Sequence, residues 1–178
     1  LGHRAIAVAD RNSLAGVVRA HVAAKEAGIR LVVGARLEPA DGPAALCLPT
    51  DRAAYGRLAR LLTLGKRRTV KGACDLSWRD VEEHGEGQAL VVVPPGDGMP
   101  DAAFADRLAA IAARFPGRCH LAASPRFRGR DADRLAALAA LAETAGAPMV
   151  ATNDVLSHHP GRRALADVLA CIREHCTV

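Results

Sequence analysis

The sequence predicts an α/β fold built on a mainly parallel sheet or barrel. Three observations carry that expectation. Short apolar runs alternate about six times with stretches whose apolar residues recur at helical spacing. Half of the residues are apolar but only 3% are aromatic, so Ala- and Leu-rich helices on a sheet fit better than an aromatic-rich sandwich. Polar side chains cluster directly after the apolar runs, the strand ends at which α/β folds place their sites.

Taken in order, Ala5-Ile6-Ala7-Val8-Ala9 reads as a buried strand with Asp10-Arg11-Asn12 at its carboxyl end. Asn12 or Ser13 can cap the next helix, whose apolar face is Leu14, Val17, Val18 and Val22 and which stops at Gly28. Leu31-Val32-Val33 is the second strand, with Gly34 allowing close backbone approach. Ala45 to Leu48 is the third. Thr50 then caps a helix with the stripe Tyr55, Leu58, Leu61 and Leu62. Gly65 to Gly72 reads as a basic loop within one domain. Trp78 opens a short helix reaching Glu83, and Leu90 to Val93 is a strand closed by Pro94-Pro95-Gly96. Asp101 opens a helix carrying Phe104, Leu108, Ile111 and Phe115. Cys119 to Ala122 is the fifth strand, and Ser124 to Arg130 is a second basic loop. A helix from Asp131 carries Leu135, Leu138 and Leu141 and ends near Gly146. Met149-Val150-Ala151 is the last strand. The final helix places Leu165, Val168, Leu169, Ile172 and Cys176 on one stripe, predicted to be buried.

At 178 residues the chain is one domain with room for a real core. Its net charge is +5, and Lys occurs only at Lys25, Lys66 and Lys71, so Arg carries most of the positive charge. That bias suits bidentate phosphate contacts and permits a nucleic-acid partner. Cys47, Cys74, Cys119, Cys171 and Cys176 are odd in number and widely spaced, which predicts reduced thiols in a cytoplasmic protein. No apolar run approaches the ~20 residues that span a bilayer. Opening at Leu1 and stopping at Val178 straight after a helix, the sequence reads as a piece of a longer polypeptide.

No G-x-x-x-x-G-K-[ST], G-x-G-x-x-G or G-x-S-x-G is present. Asp10, Asp154, His158 and His159 remain, at strand ends where oxygen and imidazole ligands hold ions in metal phosphoesterases. The plainer alternative makes the aspartates caps of backbone N–H groups and the histidines solvated loop residues. Cys171, His175 and Cys176 share helical spacing but lack a second ligand pair, so buried structural thiols are favoured over zinc. Arg162 and Arg163, in the first turn of the last helix, oppose its dipole unless an anion docks there; otherwise they are solvated. The Lys66–Lys71 and Arg126–Arg130 loops either touch nucleic acid or solubilise the surface. Neither interleaves aromatics for base stacking. His3 and His21 read as packing or surface residues.

ATNDVL followed by His158, then Arg162-Arg163 and LADVLACIREH, resembles the N-terminal region of bacterial C-family DNA polymerases. The error-prone alpha-type members used in damage tolerance are the nearest in pattern. AIAVADRNSLAGVVRAHVAAKEAGIRLVVGAR and GKRRTVKGACDLSW fit the same region, so the resemblance spans nearly all of the chain. It implies a polymerase-and-histidinol-phosphatase (PHP) domain over residues 1–178, a distorted (β/α)7 barrel incomplete at its N-terminus. Palm, fingers and DNA-binding domains would follow it.

Against the family's metal pattern, only Asp10 and Asp154 persist as relic ligand positions. Arg11 stands where a histidine is expected, Arg36 where a glutamate is, Ala44 near an expected histidine, and Leu156 in place of the last histidine. The resemblance therefore implies a metal-free, non-hydrolytic domain in which Arg11 and Arg36 pair with Asp10 and Asp154. The parent would be a DNA-directed DNA polymerase using Mg²⁺ held outside this segment. Its partners would be DNA, the other polymerase domains, translesion accessory proteins and the sliding clamp, with no membrane. The alternative is an active metal-dependent phosphoesterase or 3′–5′ proofreading nuclease.

Overall fold

A computed structural model describes residues 2–96, 98–127, 129–152, 155 and 159–177. Among these, six strands form one sheet in chain order: β1 (Ala5–Arg11), β2 (Arg30–Leu37), β3 (Ala45–Pro49), β4 (Gln88–Val92), β5 (Cys119–Ala123) and β6 (Met149–Ala151). β1 and β2 are parallel, as are β4, β5 and β6, whereas β3 runs against both of its neighbours. The sheet curls into half a barrel. Around it lie α1 (Val17–Glu26), α2 (Arg52–Arg67), α3 (Trp78–Glu83), α4 (Ala102–Arg114), α5 (Asp131–Ala145) and α6 (Arg163–Glu174). The predicted α/β alternation is thus present, with one strand reversed.

The core sits on the middle strands. Leu37, Ala45, Cys47, Leu90, Val92 and Leu121 meet Leu58 and Leu61 of α2 and Leu108 and Ile111 of α4. Burying a Leu or Ile side chain contributes about 1.5–3 kcal/mol each, so this layer is the main source of stability. Its Gln88 and Trp78 polar groups are satisfied. Gln88 donates from Nε2 to the Ala54 carbonyl at 2.7 Å and accepts from Cys47 Sγ at 3.3 Å. Trp78 donates from its backbone N–H to Asp41 and from Nε1 to the Pro43 carbonyl, with the Arg107 guanidinium 5.6 Å from its ring centroid. Burial pushes the Cys47 and Cys119 thiols up to about 12 and about 11, so neither ionises near neutral pH.

α3 is held by a capping box. Ser77 Oγ accepts from the Asp80 amide, and the Asp80 carboxylate accepts from the Ser77 amide at 2.9 Å and from Ser77 Oγ at 2.8 Å. Arg68 adds a bidentate contact to that buried carboxylate at 2.6 and 2.9 Å. The loop after α2 is thereby fixed to the start of α3.

Several local expectations need correction. The cap of α1 is the backbone at Gly16, not Asn12 or Ser13, because Asn12 turns its side chain toward β2. Asp51 rather than Thr50 caps α2, accepting from the Ala54 amide, while Thr50 donates to the Gly87 carbonyl. α2 runs through Gly65 to Arg67. Gly65 is a packing contact rather than a loop boundary: a Cβ there would lie 2.6 Å from Leu76 Cδ2. β1 was expected to be buried, but it is an edge strand with Ile6 exposed, and Val18 and Val22 of α1 are exposed beside it. The predicted buried stripe of α6 is open: Leu169 is 58% and Ile172 65% exposed, and Leu165 and Val168 are exposed with them. Helical periodicity identifies a face that a partner can cover; it does not supply the partner.

Arg68, with Ser77, holds the Asp80 carboxyl well below the usual carboxylate range. A depressed folded pKa contributes stability that is complete above the unfolded value of about 4 and is lost as pH falls through the folded one. Asp80→Asn is expected to cost about 2–3 kcal/mol at pH 7 in denaturant unfolding. It should also remove part of the wild-type loss of stability between pH 5 and pH 2, values set roughly by that window. An acid profile identical in both proteins would contradict this role.

Candidate functional site

Strand direction decides which side chains meet. β1, β2, β4, β5 and β6 all run the same way, so their carboxyl ends share one rim, and reversed β3 begins there. α2 starts at the far end and returns, which brings Lys66 to Cys74 against Arg11, Asn12 and Ser13 around a cleft of about 460 Å³. Arg11, Lys66 and Lys71, which lie apart in the sequence, therefore line one cleft, while Arg36 lines a second cavity and Arg126 and Arg130 a third.

At the β1–β2 seam the register sets Asp10 beside Ala35 and Arg11 beside Arg36. Two guanidiniums on adjacent parallel strands repel unless a counter-charge stands between them. Glu38 supplies it. Its Oε1 receives Arg11 Nε at 3.1 Å and Arg36 Nε at 3.2 Å. Arg36 and Glu38 are two residues apart, so on an extended chain their side chains point to one face.

Asn12 closes the seam on the backbone side. It adopts a left-handed φ of 45°, which Asn tolerates better than most residues. Its amide donates to the Arg36 carbonyl at 2.8 Å, and its Oδ1 accepts from the Glu38 amide at 3.0 Å. Asp10 turns the other way, its Oδ2 accepting from the Gly16 amide at 2.7 Å. A Cβ at Gly16 would lie 2.5 Å from that oxygen, so glycine is needed for the contact.

The expected partners of the two arginines are thus only partly in view. Arg11 pairs with Glu38 and Asp10 bonds to a backbone amide; Asp154 and His158 lie outside the described residues. Arg162 and Arg163 are exposed at the start of α6, Arg163 within 3.8 Å of Asp167. His159 accepts from the Gly161 amide at 3.1 Å. Cys171 is half-buried and Cys176 exposed, a correction to the expectation of buried thiols that follows from the open face of α6. Among the described residues no three His, Cys, Asp or Glu side chains come together as a metal-binding group. Glu38 was absent from the sequence reading. Its signal was the alternation Arg36-Leu37-Glu38 at a strand end, legible only once Arg11 is known to lie alongside.

No family model matches the chain. It is 54% identical over its whole length to the error-prone DNA polymerase of Caulobacter vibrioides and 50% identical to error-prone DNA polymerase 1 of Agrobacterium fabrum. In each case the match takes in 16% of the relative, its N-terminal part, so the chain spans about a sixth of the length of these proteins. Among solved structures it is similar to a chain described as a metal-dependent phosphoesterase from Bifidobacterium adolescentis. That likeness has TM-score 0.63 and 14% identity, over 86% of this chain and 77% of that one. It is also similar to an amidohydrolase from Chromobacterium violaceum with bound sulfate and no metal. There the TM-score is 0.54 and the identity 17%, over 89% of this chain and 78% of that one. At these identities the structural likeness concerns the fold alone, and that fold is the PHP and amidohydrolase type of (β/α) barrel.

Replacing Glu38 by Gln leaves two adjacent guanidiniums without their shared anion. A loss of about 1 kcal/mol is expected in urea unfolding, most of it recovered when Arg11→Met is added. A double-mutant cycle showing no coupling between Arg11 and Glu38 would contradict the bridge.

Proposed function

We propose that this chain is the N-terminal PHP domain of an error-prone DNA-directed DNA polymerase, and that it serves there as a metal-free brace rather than a hydrolase. Identity of 54% across the whole chain to the N-terminal part of such a polymerase carries the parentage. The shared Arg11–Glu38–Arg36 bridge supports the loss of hydrolysis.

Arg11 and Arg36 at the rim disfavour the divalent cations that the fold type implies. At about 5 Å and an effective dielectric of about 20, one guanidinium repels a divalent cation by roughly 6–7 kcal/mol. Solvent screens Arg11, whose side chain is 63% exposed, more than Arg36 at 24%. Glu38 meets both guanidiniums through one oxygen, and Asp10 accepts from the Gly16 amide. What the seam can do is stitch β1 to β2 by charge, where a metal-bound relative would do so by coordination.

Nucleotidyl transfer, with Mg²⁺ to stabilise the phosphoryl charge, would belong to parts of the parent outside these residues. The open apolar faces of α6 and α1 suit burial against other polymerase domains. DNA, translesion accessory proteins and the sliding clamp are the partners this parentage assigns to the whole protein, in damage-tolerant synthesis in the cytoplasm. No helix among the described residues is long and apolar enough to cross a membrane.

The test is hydrolytic. The purified chain, supplied in turn with Mg²⁺, Mn²⁺ and Zn²⁺, is expected to release no nucleotide from a DNA 3′ end and no phosphate from an aryl phosphate. Metal-dependent release that chelator abolishes and Asp10→Asn reduces would replace the brace with the phosphoesterase reading.

A further inference from the structure

A second cationic feature of the mouth lies between the loop after β4 and the loop after β5. There a cavity of about 280 Å³ is walled by Arg126, Arg130, Arg134 and Asp131, with Gly96 and Gly98 opposite. Arg134 is only 7% exposed. Its Nη2 donates to the Pro95 carbonyl at 3.0 Å and its Nε to the Gly98 carbonyl at 3.4 Å. Two carbonyls orient a guanidinium, but they cancel none of its charge, and buried charges are ordinarily paired. The Nε of Arg126 is also buried and donates to nothing.

Among the described residues this wall sets three guanidiniums against two carboxylates, Asp131 and Asp133, which leaves one positive charge over. Asp131 lines the cavity and keeps its charge there, its Oδ1 accepting from the Arg126 amide at 2.6 Å. Asp133 meets Arg130 at 3.3 Å with both side chains largely exposed, a contact that water screens. α5 begins at the same wall with no side-chain cap, and Asp131 and Asp133 stand in its first turn beside the free N–H groups. Three guanidiniums, one of them deeply buried, face a space that can enclose a small anion.

We propose that this cavity binds a phosphate dianion, either free phosphate or the terminal phosphomonoester of a nucleotide or polynucleotide. Arg134 is the fixed donor, held in aim by the Pro95 and Gly98 carbonyls. Arg126 and Arg130 close on the oxygens from the loop and the helix start. Planar guanidiniums match phosphate oxygens in pairs, a geometry that a halide cannot use. The inference stands whether or not the polymerase parentage does.

The test uses the full chain and inorganic phosphate as probe. Phosphate is expected to raise the melting temperature relative to chloride at matched ionic strength. Arg130→Gln, at an exposed side chain, and Arg126→Gln should each weaken phosphate binding about tenfold in calorimetry. A short DNA strand bearing a 5′-phosphate that binds better than its 5′-hydroxyl twin would assign the site to a polynucleotide end. Equal binding of the two strands, alongside the response to phosphate, would assign it to the free ion. No phosphate-specific rise in melting temperature, or a rise unchanged in both variants, would overturn the proposal.

Discussion

Glu38 accepting two arginines through one oxygen is the contact on which the mouth depends. β1 is an edge strand, and exposed edges are held weakly unless something beyond ladder hydrogen bonds ties them down. Here the tie lies at the carboxyl end, where Arg11 and Arg36 sit side by side in register. Without a carboxylate between them, their repulsion would act against the pairing that places them there. Asn12 bonds the same two strands through backbone and side chain, so charge and hydrogen bonding act on one seam. Asp10 fixes the turn into α1 through the Gly16 amide.

The same topology that builds this seam collects positive charge. Because only β3 is reversed, loops far apart in the chain open on one rim, and several of them bring arginine or lysine. The stabilising layer is elsewhere, in the apolar face of β2 to β5 against α2 and α4. Core and mouth are therefore separable: the mouth can lose ligands and gain guanidiniums without disturbing the packing that forms the barrel wall.

Much of the middle of the chain was legible in the sequence. Phe104, Leu108, Ile111 and Phe115 are buried as their spacing demands, and α3 spans Trp78 to Glu83 as read. These elements have neighbours on both sides, so local pattern and tertiary environment agree. The ends were misread for the opposite reason. Val18, Val22, Leu169 and Ile172 satisfy the pattern of a packed face, yet they have little against them. Gly65 misled because glycine in a basic stretch resembles a loop, whereas here its missing Cβ admits Leu76. At the site, Arg11 and Arg36 were identified from their positions in a motif, but Glu38 required knowledge of which strands are adjacent. Register is a tertiary fact, and no window along the chain contains it.

The central claim is that guanidinium–carboxylate contacts occupy the rim where this fold type otherwise holds metal. Anomalous diffraction from crystals of the chain soaked in Mn²⁺ or Zn²⁺ tests it most directly. The account predicts density joining Arg11 and Arg36 to Glu38 and no anomalous peak within coordination distance of Asp10. A peak on Asp10, with either arginine swung out to solvent, would contradict it.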